Sequence, residues 1–505
     1  MKVGIKFFRL SVPLLIGVFS GCVHFRPPAP VKEARAVWIT RFEYSNYSTT
    51  HDQDSIRAYI RNVIDRAARA NFNMIFFQVR GNGDAYYTPG LEPWGDLLTG
   101  KLGEDPGWDP LQYAIDLAHA RGLELHAWIN TFPAWRGTEP PPETTPRSPY
   151  LEHPEWIVCD SSGTPMPLSE YYVSFSPGIP AVHDYIISVV ADIVTRYDID
   201  GIHFDYIRYP EIAPDKGYSH DSISVARFNS PEGNPFELDW EDWQREQLNQ
   251  FVYKAYNAIH DLKPWVKVSA AVIGSYREGG WTAYHSVYQD PRRWTELGKI
   301  DFITPMIYWP RRHPTQPFLK RSREWDRYYT VGRYVFPGIG SYRYNTNEKN
   351  YRWSEVGGEI DGLRESRING MAFFNAQSLE DHWEELAARR FRTPANVPPM
   401  SWKDSIPPSA PKNLRAEFIG NRVKLTWSID ASDNDIRRYN IYLSKTLPVD
   451  PLSSRNLQAV TVDATPEWTL KPAVKYRQMY VAVSALDAVW NESPLSTPLQ
   501  LKFPR

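Results

Sequence analysis

The chain alternates short apolar runs rich in β-formers with stretches whose apolar residues recur at helical spacing, as in Ile56–Ala67. Eight such runs follow Glu33, and the alternation predicts a (β/α)8 TIM barrel over residues 33–393. The alternative, a doubly wound open sheet, would want a glycine-rich turn after the first strand, and Arg41–Tyr44 is not one. The predicted strands are Ala34–Thr40, Met74–Arg80, Leu123–Asn130, Gly201–Arg208, Val266–Gly274, Phe302–Trp309, Tyr334–Ser341 and Met371–Gln377.

Two predicted connections are too long to be simple turns. They run from Thr131 to about Pro180 and from Tyr209 to about Leu238, and each follows a strand and precedes a helix. In a (β/α)8 barrel such loops meet at the C-terminal ends of the strands and build the active site. Long loops without structure are otherwise uncommon in a compact domain.

Alternate residues of a barrel strand face the surrounding helices and must be apolar, while the others face the barrel axis. In the second strand Ile75, Phe77 and Val79 suit the helix layer, so their neighbours point inward. In the eighth strand we expect Ala372 and Phe374 to face the helices. The inward polar residues fall mainly toward the C-terminal ends of their strands, which indicates a ligand site. The predicted substrate-binding residues are Gln78, Arg80, His126, Trp128, Asn130, His203, Arg208, Tyr308 and Asn375.

Asp205 is the strongest candidate for catalysis, because it is a carboxylate on an inward-facing barrel strand. It could serve as nucleophile, stabilising anion or acid/base at a glycosidic bond. The alternative is a structural ion pair with Arg80 or Arg208. Glycoside hydrolysis normally needs a second carboxylate, and the fifth strand ends without one. We expect Glu278, in the loop after that strand, to supply it; other acids on loops at the same end are Glu43, Asp84, Glu170 and Glu211.

A metal or other cofactor is not expected. His126 and His203 face inward on neighbouring strands, but no His-x-His pair or His/Asp cluster has the spacing of metal ligands. We expect each histidine to orient Asp205 or to donate a hydrogen bond to a sugar hydroxyl. The sequence contains no nucleophile elbow, P-loop or dinucleotide fingerprint.

Composition adds two constraints. The 57 basic and 59 acidic residues among 505 give a formal net charge of −2, which does not favour a nucleic-acid partner. Tryptophan is abundant, with 19 residues, and either fills cores or lines a binding surface on which sugar rings stack. Several tryptophans fall at or beyond strand ends, so a carbohydrate partner is favoured. We expect the protein to be a monomer.

The N-terminus reads as an export signal. Residues 1–21 combine a basic start with a short apolar run, too short to span a bilayer, and small residues precede Cys22 as in a bacterial lipobox. Cys22 is therefore the predicted lipidation site, residues 22–32 a tether, and the cell envelope the location. The alternative is an ordinary secreted protein with a spare thiol. If Cys22 is lipidated, Cys159 is the one remaining cysteine, so no disulfide within the mature chain is expected.

The C-terminal part forms a separate predicted domain. The proline-rich residues 394–410 indicate a linker, and residues 411–505 carry alternating strands typical of an all-β sandwich. Trp427, the run Tyr439–Tyr442 and a stretch like a tyrosine corner at Leu470–Tyr476 make this segment similar to a fibronectin type III module. Such modules usually serve as spacers or binding accessories.

Four motifs in the barrel resemble a known family: Ala36–Thr40, Phe77–Ala85, His126–Asn130 and Gly201–Pro210. In this order they resemble the bacterial glycosyl-hydrolase-like family termed "family 10-like", whose members are often lipoproteins. The resemblance implies a (β/α)8 barrel acting on extracellular glycans, and one branch of the family cleaves peptidoglycan strands stripped of peptides. It implies functional roles for Arg80, Asn130, Asp205 and Tyr308. The alternative is a non-catalytic glycan-binding lipoprotein with a degenerate barrel.

Overall fold

The computed structural model describes residues 29–45, 51–210, 217–345, 351–433, 435–470 and 478–503. The predicted signal segment 1–21, Cys22 and the tether up to residue 28 lie outside these ranges. Within the described ranges, no helix combines the length and apolar character needed to cross a bilayer.

The N-terminal domain is a closed parallel barrel, as predicted. Its strands are joined in the order β1, β2, β3, β6, β7, β8, β9/β10 and β11, and β11 pairs with β1 to close the ring. The seventh barrel strand is split into β9 and β10, and β10 pairs with both β8 and β11. The strands are β1 Ala34–Ile39, β2 Met74–Arg80, β3 Glu124–Asn130, β4 Pro133–Gly137, β5 Ser169–Ser174, β6 Gly201–Asp205, β7 Lys267–Ile273, β8 Phe302–Met306, β9 Tyr334–Val335, β10 Gly338–Ile339 and β11 Gly370–Phe373.

Helices surround the barrel and bury one apolar face each. In α2, Asp52 accepts a hydrogen bond from the Ser55 N–H at the helix start, and Ile56, Ile60 and Ile64 are fully buried. The helices are α1 Arg41–Tyr44, α2 Gln53–Arg69, α3 Pro110–His119, α4 Pro149–Glu152, α5 Pro180–Arg196, α6 Ser222–Phe228, α7 Trp240–Leu262, α8 Ala283–Ser286, α9 Pro291–Glu296, α10 Phe318–Tyr328, α11 Ser354–Glu365 and α12 Trp383–Arg389.

The predicted strand faces hold for β2 and β3 but not for β11. Ile75, Phe77 and Val79 pack into the helix layer, whereas Phe76 and Trp128 lie inside the barrel. The prediction for β11 was wrong, since Ala372 and Phe374 lie inside the barrel and Phe373 packs outward against Phe72 and Phe391. Residues 371–374 are all apolar, so alternation could not distinguish the two faces.

The C-terminal domain is an antiparallel β sandwich. One sheet has the order β12, β13, β16 and the other the order β15, β14, β17, β18. Trp427, Ile441 and Val483 lie in the core between the sheets. The predicted tyrosine corner falls largely on residues 471–477, outside the described residues. The strands are β12 Lys412–Ile419, β13 Arg422–Ser428, β14 Arg438–Ser444, β15 Leu457–Val460, β16 Glu467–Leu470, β17 Gln478–Leu486 and β18 Leu499–Lys502.

The predicted linker packs against the barrel. Val397 and Met400 are fully buried in the cluster that fills the barrel interior, and Trp490 of the sandwich belongs to the same cluster. Trp402 donates its indole N–H to Asp301 at 2.8 Å. The segment 394–410 therefore seals the N-terminal end of the barrel together with the sandwich.

Candidate active site

A cleft of about 510 Å³ opens at the C-terminal ends of the barrel strands. The ends of β1, β2, β3, β6 and β8 form its floor, and the β4–β5 hairpin from the first long loop forms one wall. This is the end at which the fold places active sites. Of the predicted site residues, the cleft is lined by Gln78, Trp128, Asn130, Asp205, Arg208 and Tyr308.

Asp205 is the last residue of β6, and two donors among the described residues hold its carboxylate. Its Oδ1 accepts hydrogen bonds from the Tyr206 N–H at 2.6 Å and from Arg208 Nη1 at 2.9 Å. Tyr206 adopts a left-handed φ of 56°, which is uncommon for a residue with a side chain. This turn brings the Tyr206 ring into the cleft, and the Cζ of Arg208 lies 3.9 Å from the centre of the ring. The ion pair with Arg208 is thus real, but Asp205 still lines the cleft.

Two uncharged buried donors in the cleft have no hydrogen-bond partner within the described structure. They are the indole Nε1 of Trp128 and the hydroxyl of Tyr308. Burial, with the nearby charge of Asp205, raises the pKa of Tyr308 well above its usual value, so the hydroxyl keeps its proton. Because an unpaired buried polar group costs about 1–3 kcal/mol, these groups are suited to a ligand that accepts hydrogen bonds.

The floor between β2 and β3 is a fixed polar network. Gln78 accepts from the Arg41 N–H at 3.0 Å through Oε1 and donates through Nε2 to Asn130 Oδ1 at 3.3 Å. The parallel register places Asn130 directly beside Asp205. The amides therefore have fixed orientations next to the carboxylate.

Arg80 does not reach the cleft, contrary to the prediction. A register shift between Gln78 and Arg80 breaks the alternation of β2, so inward and outward positions no longer follow the sequence. The fully buried guanidinium pairs with Glu92 at 2.7 Å and donates to the carbonyl oxygens of Asn130 and Thr131. Arg80 thus fixes the end of β3 and positions Asn130.

His126 and His203 lie below the cleft rather than in it. His203 accepts from the Trp38 indole at 3.0 Å, bonds to Ser269 Oγ at 2.8 Å and stacks on Phe76. Burial lowers the pKa of His203 well below its usual value, so the ring is neutral. His126 bonds to Glu124 at 3.1 Å near the opposite end of the barrel. The predicted contact with Asp205 fails for both, because they sit deeper in the barrel.

Glu278 and Asn375 also lie outside the cleft. The side chain of Glu278 is 61% exposed and pairs with Arg321 at 3.1 Å on α10, because its loop folds outward against that helix. Asn375 accepts from the Ser378 N–H at 3.3 Å and so closes the turn after β11. Its neighbour Phe374 lines the cleft instead.

The carboxylate that shares the cleft with Asp205 among the described residues is Glu170, on the β4–β5 hairpin. Glu43 is buried, where its carboxylate accepts from the backbone N–H groups of Thr40 and Gln377, and burial raises its pKa to about 7. Asp84 accepts from the N–H groups of Gly81 and Asn82. Glu211 lies outside the described residues.

Several lining residues were not among the predicted site residues. They come from the residues after β1, β2 and β6, from the last residue of β8 and from the β4–β5 hairpin. The length of the first long loop indicated that it carries structure of its own. The pairing of β4 with β5 could not be predicted, because it joins segments that are far apart in the sequence. The unpredicted lining residues include Thr40, Arg41, Phe42, Asn82, Arg136, Tyr171, Tyr172, Tyr206 and Met306.

Comparison with known proteins identifies the family of this chain. The model of the family described as "Glycosyl hydrolase-like 10" matches residues 33–354. The chain belongs to this glycosyl hydrolase-like family. The match to the family covers the cleft floor from Thr40 to Tyr308, whereas Phe374 and the sandwich lie beyond it.

Two curated proteins similar to this chain are named glycosyl hydrolases. Glycosyl hydrolase DigH of Escherichia coli strain K12 is 33% identical over 316 residues, which cover 56% of this chain and 68% of the relative. Glycosyl hydrolase YngK of Bacillus subtilis strain 168 is 27% identical over 428 residues, which cover 80% and 81% of the two chains. Among solved structures, α-L-fucosidase isoenzyme 2 from Paenibacillus thiaminolyticus aligns with a TM-score of 0.47 at 15% identity, over 71% of this chain and 49% of that one.

Proposed function

We propose that this protein is a glycoside hydrolase that cleaves a polysaccharide of the cell envelope. The observation that carries the proposal is the position of Asp205 in the cleft, with its carboxylate held by Arg208 and the Tyr206 N–H. Both donors favour the ionised carboxylate. An ionised carboxylate at the centre of a sugar cleft can attack the anomeric carbon or stabilise positive charge that develops there.

Glu170 is the second carboxylate in this proposal. It is solvent-exposed on the hairpin, so it can exchange protons with water and act as general acid/base. Protonation of the leaving oxygen and attack at the anomeric carbon require carboxylates on two sides of the bond. The floor and the hairpin wall supply these two sides.

The remaining lining groups bind the substrate. Trp128 and Tyr308 donate hydrogen bonds to sugar oxygens, since both donors lack protein partners in the part of the chain that the structure describes. The exposed aromatic ring of Tyr171 offers a flat apolar surface beside the cleft. The family resemblance of the sequence motifs suggests peptidoglycan glycan strands as the substrate. Members of the family that the motifs resemble are often lipoproteins. Together with the lipobox-like residues before Cys22, this supports anchoring of the protein to an envelope membrane.

The experiment measures release of new reducing ends from peptide-free glycan strands. Asp205→Asn should reduce turnover at least a hundredfold, by analogy with the loss of other electrostatic groups at reacting centres. The matched control is Asp192→Asn on α5, which should keep full turnover because this carboxylate pairs with Arg196 and does not line the cleft. Equal turnover of the wild type and Asp205→Asn would contradict hydrolysis at this site, and binding without turnover by the wild type would favour the non-catalytic alternative. Incorporation of labelled fatty acid into the wild type but not Cys22→Ala tests the anchor.

A further inference from the structure

Arg41 is a buried cation in the cleft wall without a paired anion. The residue is 4% exposed, and its Nε has no hydrogen-bond partner. With the amide of Asn82 oriented so that both its groups are satisfied, the amide oxygen accepts from Nη2 at 2.8 Å. Among the described residues, no carboxylate lies within 4.0 Å of the guanidinium.

Nearby acidic groups stabilise the charged form of Arg41, although none of those described forms an ion pair with it. Although burial lowers the pKa of Arg41, the surrounding groups, Tyr86 and Asp84 foremost, raise it above its usual value. The Oδ1 of Asp84 is already occupied by the N–H groups of Gly81 and Asn82. Burial of a cation without a contacting anion is unfavourable, so an unpaired guanidinium in a cleft is suited to an anionic ligand.

Arg136 on the β4–β5 hairpin brings a second guanidinium to the same place. Its Cζ lies 5.1 Å from the centre of the Phe42 ring, and the Cζ of Arg41 lies 4.4 Å from it. Arg136 Nε donates to the carbonyl oxygen of Glu170 at 2.7 Å, and no carboxylate of the described chain pairs with it. Arg208, the third cation of the cleft, is paired with Asp205.

We propose that Arg41 and Arg136 form an anion subsite that binds a carboxylate carried by a sugar unit of the glycan, an inference that rests on the proposed function. A planar guanidinium fork matches a carboxylate in shape and charge and can bind it through two parallel hydrogen bonds. Two sources share this chemistry: a uronic acid, or a neutral ring with a carboxylate-bearing ether substituent. The cleft therefore selects acidic over neutral glycans.

Gly81 offers an independent way to disturb this subsite. A Cβ at this position would collide with the guanidinium of Arg41, so Gly81→Ala must displace that group. The substitution leaves the Arg41 charge in place and changes its position. It therefore separates a requirement for correct placement from a general effect of positive charge.

The test is calorimetric binding in the Asp205→Asn background, which stops turnover. The probes are peptide-free peptidoglycan strands with their lactyl carboxylates, the same strands after reduction of the carboxyl groups to alcohols, and oligogalacturonate. Arg41→Met, Arg136→Gln and Gly81→Ala are compared with the control Arg147→Gln, which lies in the same long loop and pairs with Glu143. Thermal unfolding of each variant checks that it is folded.

We expect Arg41→Met to weaken binding of carboxylate-bearing strands at least tenfold, with smaller losses for Arg136→Gln and Gly81→Ala. Strands with reduced carboxyl groups should bind more weakly to the parent, and none of these substitutions should change their affinity. A preference for native strands or for oligogalacturonate identifies the source of the carboxylate. Equal binding of carboxylate-bearing and carboxyl-reduced strands by the parent would overturn the proposed anion subsite. The proposed function is tested separately, by turnover of glycan strands by the wild type. If the parent binds no glycan and the wild type cleaves none, both proposals fail.

Discussion

Glu124 Oε1, at the start of barrel strand β3, accepts a 2.5 Å hydrogen bond from the indole Nε1 of Trp490 in the C-terminal sandwich. The same oxygen accepts from Lys267 Nζ at 2.7 Å, and Oε2 bonds to His126 Nε2 at 3.1 Å. All four side chains are buried. The sandwich therefore covers the N-terminal end of the barrel. It also shields from water the charged network of Glu124, Lys267 and His126.

Trp490→Ala should destabilise the barrel as well as the sandwich. Trp490 is 2% exposed and packs in the cluster inside the barrel, so its truncation should cost about 3–5 kcal/mol. Denaturant unfolding followed by far-UV circular dichroism measures the loss. Trp265→Ala, at the same junction but 37% exposed, is the control and should cost less. An unchanged barrel transition in Trp490→Ala would show that the sandwich contributes nothing to barrel stability.

The Glu124 network predicts a dependence of stability on pH. Burial raises the pKa of Glu124, but Lys267 and His126 outweigh it, and the net pKa lies well below its usual value. A depressed pKa contributes stability above the unfolded-state value of about 4.5, and this contribution disappears as the pH falls through the folded-state value.

Glu124→Gln tests this prediction because the amide oxygen can still accept from Trp490. At pH 7 the variant leaves Lys267 without its buried anion and should lose about 3–5 kcal/mol of unfolding free energy. Below pH 4.5 the difference from the wild type should shrink, since the unfolded wild-type chain takes up a proton there that the folded carboxylate does not. Unfolding free energies measured from pH 7 to pH 3 check this. A constant difference across that range would contradict the assigned pKa shift.

The barrel was predictable because its signal is local. Each strand of the ring corresponds to an apolar run in the sequence, and mixed strands such as β3 reveal which side chains face the axis. The signal fails where it is ambiguous or interrupted. All of residues 371–374 are apolar, and the irregular register after Gln78 sends Arg80 to Glu92 instead of the cleft.

The cleft itself was only partly predictable, because its walls come from distant segments. Asp205 and Asn130 end neighbouring strands, so topology alone brings them together. The position of Glu170 depends on pairing of β4 with β5 across more than thirty residues of loop, which no local pattern specifies. Glu278 was favoured from strand adjacency, but a loop can fold away from the axis, and this one packs on Arg321.

Tyr308→Phe should separate function from stability. The buried hydroxyl has no partner within the described chain, so its removal should leave stability unchanged or raise it by up to about 1–3 kcal/mol. Loss of a hydrogen bond to substrate should nevertheless lower kcat/KM by about tenfold or more. Thermal unfolding and steady-state kinetics measure the two effects. Tyr334→Phe is the control, since its hydroxyl donates to the Pro399 carbonyl far from the cleft. A loss of stability without a kinetic effect would assign Tyr308 a structural role.

Glu170→Gln and Glu278→Gln compare two acids on loops at the same end of the barrel. Glu170 lines the cleft, whereas Glu278 pairs with Arg321 outside it, so only the first change should impair catalysis. If Glu170 is the general acid/base, its loss should reduce turnover by about 10²–10⁴-fold. It should also remove one limb of the pH–rate profile, which a merely structural effect would not do. Both variants remove one exposed negative charge and should unfold at nearly the wild-type temperature. Full turnover in Glu170→Gln would exclude this residue as the second carboxylate, and a loss in Glu278→Gln would require its loop to move into the cleft during the reaction.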